Sequence, residues 1–276
     1  MELTITDLDR SLAFYTEVLG LAVLRRGPRS ATLGVGAEEL VVLHEDAGAR
    51  RPGRESGLYH FALLFPTRAE LARVAMRLAR TRTPIDGASD HGTHEAIYLA
   101  DPDEIGLELA ADRPRELWPD LTSADFFSHG PAPLDVRSLL VSVADEPPSQ
   151  VAAPGLKIGH VHLHVGDLGS ATRFYRDGLG LSVMTELPTA VFVSFAGYHH
   201  HVAYNLWRGP GVPGAAADAV GLRHWTLILV GEAELAAVRD RLTALGFAPS
   251  IEADGALLAR DGANIAVRIA TGAAGD

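Results

Sequence analysis

The sequence contains no cysteine, which excludes disulfide bridges and thiolate metal ligands. Any metal must therefore be held by His, Asp and Glu side chains. An excess of basic residues is also absent: the formal net charge is −11, which argues against a nucleic-acid-binding surface. No apolar run is long enough to span a bilayer, and the opening MELTITDLDR lacks the architecture of a signal peptide. We therefore expect a cytoplasmic protein with neither a membrane nor a nucleic acid as partner.

Internal repeats organise the 276 residues, a length that favours two domains. DLDRSLAFYTEVLGLAV (residues 7–23) returns as DLGSATRFYRDGLGLSV (167–183), and GLYHFALLFPTRAELARVAMRL (57–78) returns as GLRHWTLILVGEAELAAVRDRL (221–242). Each copy is typical of a strand followed by a helix and further strands. The fold class is therefore predicted to be α+β, with four βαβββ modules starting near residues 2, 57, 158 and 221. We expect domains at residues 1–112 and 157–276, joined by a linker at 113–156 that is rich in Pro, Ser and Asp.

One predicted strand has an unusual polar face. In KIGHVHLHVGDL (residues 157–168), His160, His162 and His164 alternate with apolar residues, which is the period of a half-buried strand. A solvent-facing strand normally carries Thr, Lys, Glu or Ser on its free face. Three imidazoles in a row therefore suggest that this face lines a cavity.

The repeated modules resemble the vicinal oxygen chelate superfamily, which includes glyoxalases, bleomycin-resistance proteins and extradiol dioxygenases. The resemblance is carried by the DL…FY…LGL openings and the DPD…GLELAADRP strand, and it covers nearly the whole chain outside the linker. The order of SGLYHFALLFPTR, SDHGTHEAIYLADPD, IGHVHLHVGDL and AGYHHHVAYNLW is similar to that in bacterial catechol-2,3-dioxygenase-like proteins. It implies two glyoxalase-like domains, in which the strands of paired modules curl around a cavity and the helices pack outside.

In such a fold, strand alternation indicates which side chains enter the cavity. The apolar residues of GLYHFALLF and IGLELA take the helix side, which leaves His60 and Glu108 inside, and the third module adds His160. The resemblance implies that these three residues form a metal site. Two imidazoles and one carboxylate form the facial triad that suits Fe(II), with Mn(II) or Zn(II) as alternatives.

Other pairs of modules lack a complete ligand set. The third and fourth modules supply His160 and His224, but Ala266 is expected where the carboxylate should stand, and alanine cannot bind a metal. The first module offers no histidine that matches His160, because Glu2 aligns with His162. His224 is therefore predicted to be structural and is the alternative ligand.

Ring cleavage also needs a group that accepts a catechol proton and a group that returns one. AGYHHHVAYNLW (residues 196–207) is predicted to be a strand that crosses the cavity. Its alternation places His199 and His201 inside, whereas alignment with the histidine strand of the family selects His200 instead.

Two further residues are candidates for the site. Tyr98 lies ten residues before Glu108, where relatives keep a tyrosine donor, and His91 lies on the preceding loop, where it could orient a ligand or substrate. The intervening turn reads DPDEIG where the family has Asp-Pro-Asp-Gly-Asn, so Glu104 replaces a glycine that readily adopts positive φ. We therefore expect this turn to be remodelled.

The resemblance implies an Fe(II)-dependent extradiol dioxygenase that uses O₂ to cleave a catechol-like aromatic diol beside its hydroxyl groups. We also expect a homo-oligomer. Two alternatives stay open: a metal-dependent isomerase, lyase or epimerase of the same fold, and a non-catalytic binding or resistance protein that sequesters an aromatic ligand.

Overall fold

The computed structural model describes residues 1–120 and 130–272, so residues 121–129 of the predicted linker and residues 273–276 lie outside the described residues. The fold is α+β, as predicted. The strands are β1 (Glu2–Ile5), β2 (Ala22–Arg26), β3 (Ser30–Val35), β4 (Glu38–Glu45), β5 (Gly57–Phe65), β6 (Gly87–Asp90), β7 (His94–Ala100), β8 (Gly106–Asp112), β9 (Ala132–Pro133), β10 (Lys157–His164), β11 (Ser182–Leu187), β12 (Ala190–Ser194), β13 (Val202–Asn205), β14 (Gly221–Val230), β15 (Ser250–Ile251), β16 (Leu257–Arg260) and β17 (Ala266–Gly272).

The helices are short except for one in each of the second and fourth modules. The α-helices are α1 (Leu8–Ala13), α2 (Arg68–Thr81), α3 (Val136–Val141), α4 (Leu168–Thr172) and α5 (Glu232–Ala244). A π-helical turn extends α1 over Phe14–Val18 and α4 over Arg173–Gly178, and a 3₁₀ turn occupies Arg115–Leu117. Within the described ranges, no helix has the length and apolar character needed to cross a membrane.

The repeated sequences build repeated local structure. Asp7 and Asp167 begin their helices in the same way. Each has extended backbone, and its carboxylate accepts the backbone N–H of the residue three positions later in the chain. Such a cap satisfies a backbone donor that the helix itself leaves without a partner. Gly20, which follows the first helix, has φ of 80°, a conformation that glycine adopts without steric cost.

The chain forms two compact units. The first comprises Met1–Thr4, Arg50–Leu58 and His162–Asp276, and the second comprises Ile5–Ala49 and Tyr59–Val161. The segment predicted as a linker contributes ordered elements to the second unit: α3 buries Leu139 completely, and β9 pairs with β6. The division into domains at residues 112 and 157, which pairs the first module with the second and the third with the fourth, remains a prediction.

In the second unit, β8 lies between β5 and β7. It runs parallel to β5, with Ala62 opposite Glu108, and antiparallel to β7, with Tyr98 opposite Glu108. Helix α2 packs Leu71, Val74 and Leu78 into the core of this unit. Because β5 and β8 are buried on both faces, the polar side chains on them must find partners inside the protein.

In the first unit, the fourth module repeats this arrangement. Strand β14 runs parallel to β17, with Thr226 opposite Arg268, and β16 pairs antiparallel with β17, with Leu258 opposite Arg268. Helix α5 buries Leu235, Val238 and Leu242. The strand framework of the second module is therefore present twice.

Candidate metal centre

Glu108 lies at the centre of a buried cluster of histidines in the second unit. Its Oε2 atom lies 3.1 Å from Nε2 of His60 and 3.1 Å from Nε2 of His160. Its Oε1 atom lies 3.1 Å from Nε2 of His94. Side chains of these four residues are at most 8% exposed. The structure thus brings together the three residues that the sequence predicts as metal ligands.

The spacing of these atoms fits a small divalent cation. The ligand atoms of His60, Glu108 and His160 all lie within 4.8 Å of one another. Ligands about 2.1 Å from a metal and at right angles to each other are separated by about 3.0 Å. The 3.1 Å separations between the carboxylate and the two imidazoles are of this size.

The charge state of the cluster also suits a cation. Burial opposes ionisation of Glu108, but attraction to His160 and hydrogen bonds from His160, His60 and His94 outweigh it and hold the pKa of the carboxyl well below its usual range. Burial lowers the pKa of His160, despite the neighbouring Glu108 carboxylate. An anionic carboxylate and a neutral imidazole are the forms that bind metal.

Tyr98 and His91, both predicted for the site, belong to the same cluster. The Nε2 atom of His91 lies 2.8 Å from the hydroxyl of Tyr98, whose ring centroid lies 5.7 Å from that of His60. Burial, with the charge of Glu108, raises the pKa of Tyr98, so the phenol stays protonated. Burial, with the neighbouring His94, lowers the pKa of His91 to about 4, so this imidazole is neutral at physiological pH.

Sequence reasoning missed His94. This residue begins β7, four positions before Tyr98, and so lies on the same face of the strand. Its ring stacks on that of His91 with a centroid separation of 4.5 Å and an interplanar angle of 9°. The resemblance predicted Tyr98 for the site, and strand alternation from Tyr98 would have indicated His94 as well.

The other two histidines of β10 have a different partner. In the first unit, the side-chain amide of Asn205 donates from Nδ2 to Nε2 of His162, at 2.9 Å. The Oδ1 atom of Asn205 accepts from Nδ1 of His164, at 2.8 Å. The three imidazoles predicted to line one metal cavity therefore have different partners. The carboxylate of Glu108 contacts His160, and the amide of Asn205 contacts His162 and His164.

The strand predicted over residues 196–207 is wrong in its first half. Strand β13 covers only Val202–Asn205, and the chain turns before it, with positive φ at Ala196 and Gly197. Because His199–His201 are not in a strand, the alternation that separated His200 from its two neighbours does not apply to them. All three lie in the turn that leads into β13.

These three histidines have distinct partners within the first unit. His199 and His200 share a hydrogen bond between their Nδ1 atoms, at 2.8 Å, so one donates and the other accepts. His201 instead uses Nδ1 to contact the hydroxyl of Ser194, at 2.7 Å, and to accept the N–H of Phe195, at 3.3 Å. His201 is thus tied into the turn.

The turn before Glu108 is not remodelled as expected. The Asp101 carboxylate accepts the N–H groups of Asp103 and Ile105, both at 2.9 Å, and Glu104 itself adopts φ of 65°. In the fourth module, the Asp261 carboxylate likewise accepts the N–H groups of the residues two and four positions later in the chain, and Asn264 has φ of 61°. The two turns therefore have the same form, although glycine occupies the left-handed position in neither.

This shared turn corrects the prediction for the fourth module. Glu108 lies seven residues after Asp101, and seven residues after Asp261 is Arg268, not Ala266. The strand register agrees, because Arg268 lies opposite Thr226 as Glu108 lies opposite Ala62. The prediction that Ala266 replaces the carboxylate is therefore wrong by two residues, because it followed the apolar pattern and not the turn.

Arg268 is held by carboxylates. Its guanidinium contacts Glu252, at 2.7 Å, and Asp254. His224 lies 3.6 Å from the carboxylate of Glu2, its partner in the β1–β14 pairing. The fourth module therefore places a cation where the second module has its central carboxylate.

The chain belongs to the Glyoxalase/Bleomycin resistance protein/Dioxygenase superfamily, whose family profile matches residues 1–109 and 157–256. It is 39% identical over 251 residues to the catechol-2,3-dioxygenase of Bacillus subtilis (strain 168), an alignment that covers 89% of this chain and 87% of that protein. It is also 26% identical over 190 residues to a lactoylglutathione lyase of Arabidopsis thaliana, covering 66% of this chain and 53% of that one.

Solved structures support the same fold. A putative dioxygenase from Bacillus subtilis subsp. subtilis str. 168 superposes with a TM-score of 0.67 at 15% identity, covering 98% of this chain and 83% of that one. A glyoxalase I mutant from Zea mays gives a TM-score of 0.59 at 19% identity, covering 98% and 91%. At identities this low, the structural likeness shows the fold alone, and the reaction must be argued from the site.

Proposed function

We propose that this chain is an Fe(II)-dependent extradiol dioxygenase that cleaves a catechol-like diol. The observation that carries the proposal is the buried carboxylate of Glu108, with one oxygen 3.1 Å from an imidazole nitrogen of both His60 and His160. Similarity to a protein named catechol-2,3-dioxygenase supports the substrate class. Two imidazoles and one carboxylate favour Fe(II) over the alternatives Mn(II) and Zn(II).

The proposed ligands leave room for the chemistry of the reaction. Bound Fe(II) would supply open coordination positions at which a catechol and O₂ are held together. His60, Glu108 and His160 would hold the ion and contribute a single negative charge. Because burial keeps these side chains largely dry, the attraction between the carboxylate and a cation is weakly screened.

Tyr98 and His91 would act as a neutral pair beside the ligands. The raised pKa of Tyr98 keeps its phenol protonated, and His91 holds the hydroxyl from 2.8 Å away. A protonated phenol can donate a hydrogen bond to a substrate oxygen that gains negative charge. The hydroxyl of Tyr98 has one proton, and a hydrogen bond joins it to the Glu108 carboxylate. We therefore assign Tyr98 this role when a bound substrate replaces Glu108 as the acceptor, and we assign His91 the role of donating from Nε2 to the phenol oxygen and fixing its orientation.

The proton carrier is assigned to the histidines that precede β13. His199 and His200 are both buried and share one Nδ1–Nδ1 hydrogen bond, so a proton taken up by either is felt by both. His201 is less suited, since its Nδ1 atom serves the turn. We therefore propose that the acid–base group is His199 or His200.

The experiment that tests this function is oxygen uptake by anaerobically purified protein loaded with Fe(II) and offered a panel of catechols. A dioxygenase consumes one O₂ for each ring opened and places both atoms in the product, so ¹⁸O₂ should add two labelled atoms. The Glu108→Ala protein is the matched control and should consume none. Metal-loaded protein that consumes no O₂ with any catechol would contradict the proposal.

The same experiment separates the alternatives. An isomerase or lyase of this fold, which the 26% identity to a lactoylglutathione lyase keeps open, would turn over its substrate without O₂. A sequestering protein would bind aromatic ligands equally well with and without metal. The cytoplasmic location, the role in aromatic degradation and the homo-oligomeric state remain predictions.

A further inference from the structure

We propose that His94 is a positioning residue, which holds one oxygen of Glu108 so that the other faces the metal, and that Thr93 fixes the tautomer of His94. This inference rests on the proposed metal site, but not on the reaction catalysed there. The two carboxylate oxygens of Glu108 contact different histidines: Oε2 faces His60 and His160, whereas Oε1 faces His94.

The direction of the hydrogen bonds follows from the chemistry of the groups. An ionised carboxylate only accepts, so Nε2 of His94 must carry the proton that points at Oε1, 3.1 Å away. In a neutral imidazole, Nδ1 then has a lone pair, and it lies 2.8 Å from the hydroxyl of Thr93. The hydroxyl therefore donates to Nδ1, and the order of donors is Thr93, His94, Glu108.

The position of His94 separates it from the proposed ligands. His60 and His160 both face Oε2, whereas His94 faces Oε1. The group of ligand atoms within 4.8 Å that contains Glu108 also contains His60 and His160, and His94 is not part of that group.

The imidazole is well placed to be a rigid support. His94 and Thr93 are 3% and 2% exposed, and the ring of His94 stacks on His91. Glu108 has three rotatable side-chain bonds, so fixing one oxygen removes freedom that a metal would otherwise have to restrict on binding. Partners of this kind that hold a metal-binding carboxylate tune its affinity.

The fourth module gives an independent reason to assign His94 this role. Asp254 lies four residues before the strand partner of Arg268, as His94 lies four residues before the strand partner of Glu108. Asp254 contacts the guanidinium of Arg268. Both modules thus use this position to hold the central charged residue, each with the partner that its charge requires.

The test measures Fe(II) affinity of the metal-free chain, anaerobically, by competition with a chromophoric chelator. His94→Phe keeps the ring that stacks on His91 and removes the donor, so affinity should fall by roughly 10- to 100-fold. His94→Gln can restore an N–H near the position of Nε2 and should bind within about threefold of the parent chain. Thr93→Val should lose less than His94→Phe, and Thr93→Ser should match the parent.

Co(II) supplies a second readout, since its ligand-field absorption reports the ligand set. The bands of Co(II)-loaded His94→Phe should keep the parent's positions, because no ligand is removed. Unchanged Fe(II) affinity in His94→Phe would overturn the inference. So would a loss in His94→Gln as large as that in His94→Phe, or Co(II) bands that show one fewer nitrogen ligand.

Controls separate this inference from the proposed function. If His94→Phe fails to fold, as judged by the melting temperature of the metal-free chain, the His94→Gln and Thr93 variants decide the matter. Tight Fe(II) binding by Glu108→Ala would overturn the metal site as well as the support for it. A chain that binds Fe(II) as described, but consumes no O₂ with catechols, would overturn only the reaction.

Discussion

The second and fourth modules share one framework and differ in the charge at its centre. In both, the aspartate of the turn accepts from a buried tyrosine of the preceding module, from Tyr15 to Asp101 at 3.1 Å and from Tyr175 to Asp261 at 2.9 Å. In both, the strand that follows the turn pairs in parallel with the first strand of the module. The central residue on that strand is Glu108 in one module and Arg268 in the other.

The surroundings of the central residue have changed with it. Three histidines contact Glu108, and two carboxylates contact Arg268. The carboxylate of Glu108 accepts hydrogen bonds from imidazoles, and the guanidinium of Arg268 contacts two carboxylates, so each central charge has polar partners. A metal ion suits the first set of groups and is repelled by the guanidinium of the second. The framework therefore supports either arrangement, and the proposed metal site depends on a few side chains.

The largest effect should come from equivalent histidines in the two modules. His60→Ala and His160→Ala each remove a proposed ligand, so the loss of Fe(II) affinity should exceed the roughly 100-fold upper limit for an outer partner. The matched control is His224→Ala. This variant should keep its iron, because His224 contacts Glu2 and is not among the proposed ligands. Iron content after anaerobic gel filtration measures both. Loss of iron from His224→Ala alone would assign the metal to the fourth module.

Loss of the proposed proton carrier should lower turnover without lowering metal binding. Removing the proposed acid–base group, His199 or His200, should keep Fe(II) and lower turnover by about 10²- to 10⁴-fold. His201→Ala should mainly lower the melting temperature, because its imidazole accepts from the turn. Iron content, melting temperature and turnover on one catechol decide among the three. Full turnover in both His199→Ala and His200→Ala would show that the proton carrier lies elsewhere.

The shared turn should give the two modules a pH dependence of stability with the same sign. Burial raises the pKa of Asp101 to about 6 and raises that of Asp261 as well. A folded state that binds the proton more tightly than the unfolded state loses stability as pH rises from about 4 to about 6, by up to about 3 kcal/mol for Asp101. Asp101→Asn and Asp261→Asn should each flatten this slope.

Urea denaturation between pH 4 and 7 measures the slope, which matters more than the absolute stability because asparagine cannot accept every hydrogen bond that the aspartate accepts. An unchanged slope in Asp101→Asn would show that another group titrates in this range. A slope changed by Asp101→Asn but not by Asp261→Asn would show that the two turns are not equivalent.

Two single-residue changes should have the smallest effects, with different signs. Glu104→Gly relieves a left-handed conformation and should stabilise the chain by at most about 1 kcal/mol. Asn264→Gly should be neutral or destabilising, since asparagine tolerates this conformation and its Nδ2 atom donates to the carbonyl of Ala215 at 2.6 Å. Thermal denaturation measures both. A stabilisation that is larger for Asn264→Gly would contradict this account of the turns.

The sequence predicted the fold because its signals are local and repeated. Alternation placed His60 and Glu108 on one face of their strands, and the recurring segments defined the modules. The same alternation, followed from Tyr98 back to His94, would have found the residue that contacts the other oxygen of Glu108. That step needed only the observation that β7 continues unbroken over those four residues.

The errors arose where a local rule was extended past its limits. The apolar pattern of the last strand gave Ala266, whereas counting from Asp261 gives Arg268, because the turn and not the apolar pattern sets the register. Alternation was applied to His199–His201, but positive φ at Ala196 and Gly197 breaks the strand first. Division of the histidine row by Asn205 depends on a contact between distant segments that no local pattern reports.

The most direct test of the account compares the two central residues by the iron content of Glu108→Ala and Arg268→Ala after anaerobic loading with Fe(II). Both substitutions remove a charged side chain from the same position of the framework, so they are matched. The account predicts that Arg268→Ala retains about one iron per chain, as the parent does, and that Glu108→Ala retains none. Stoichiometric iron in Glu108→Ala, or its loss in Arg268→Ala, would contradict the assignment of the metal to the second module.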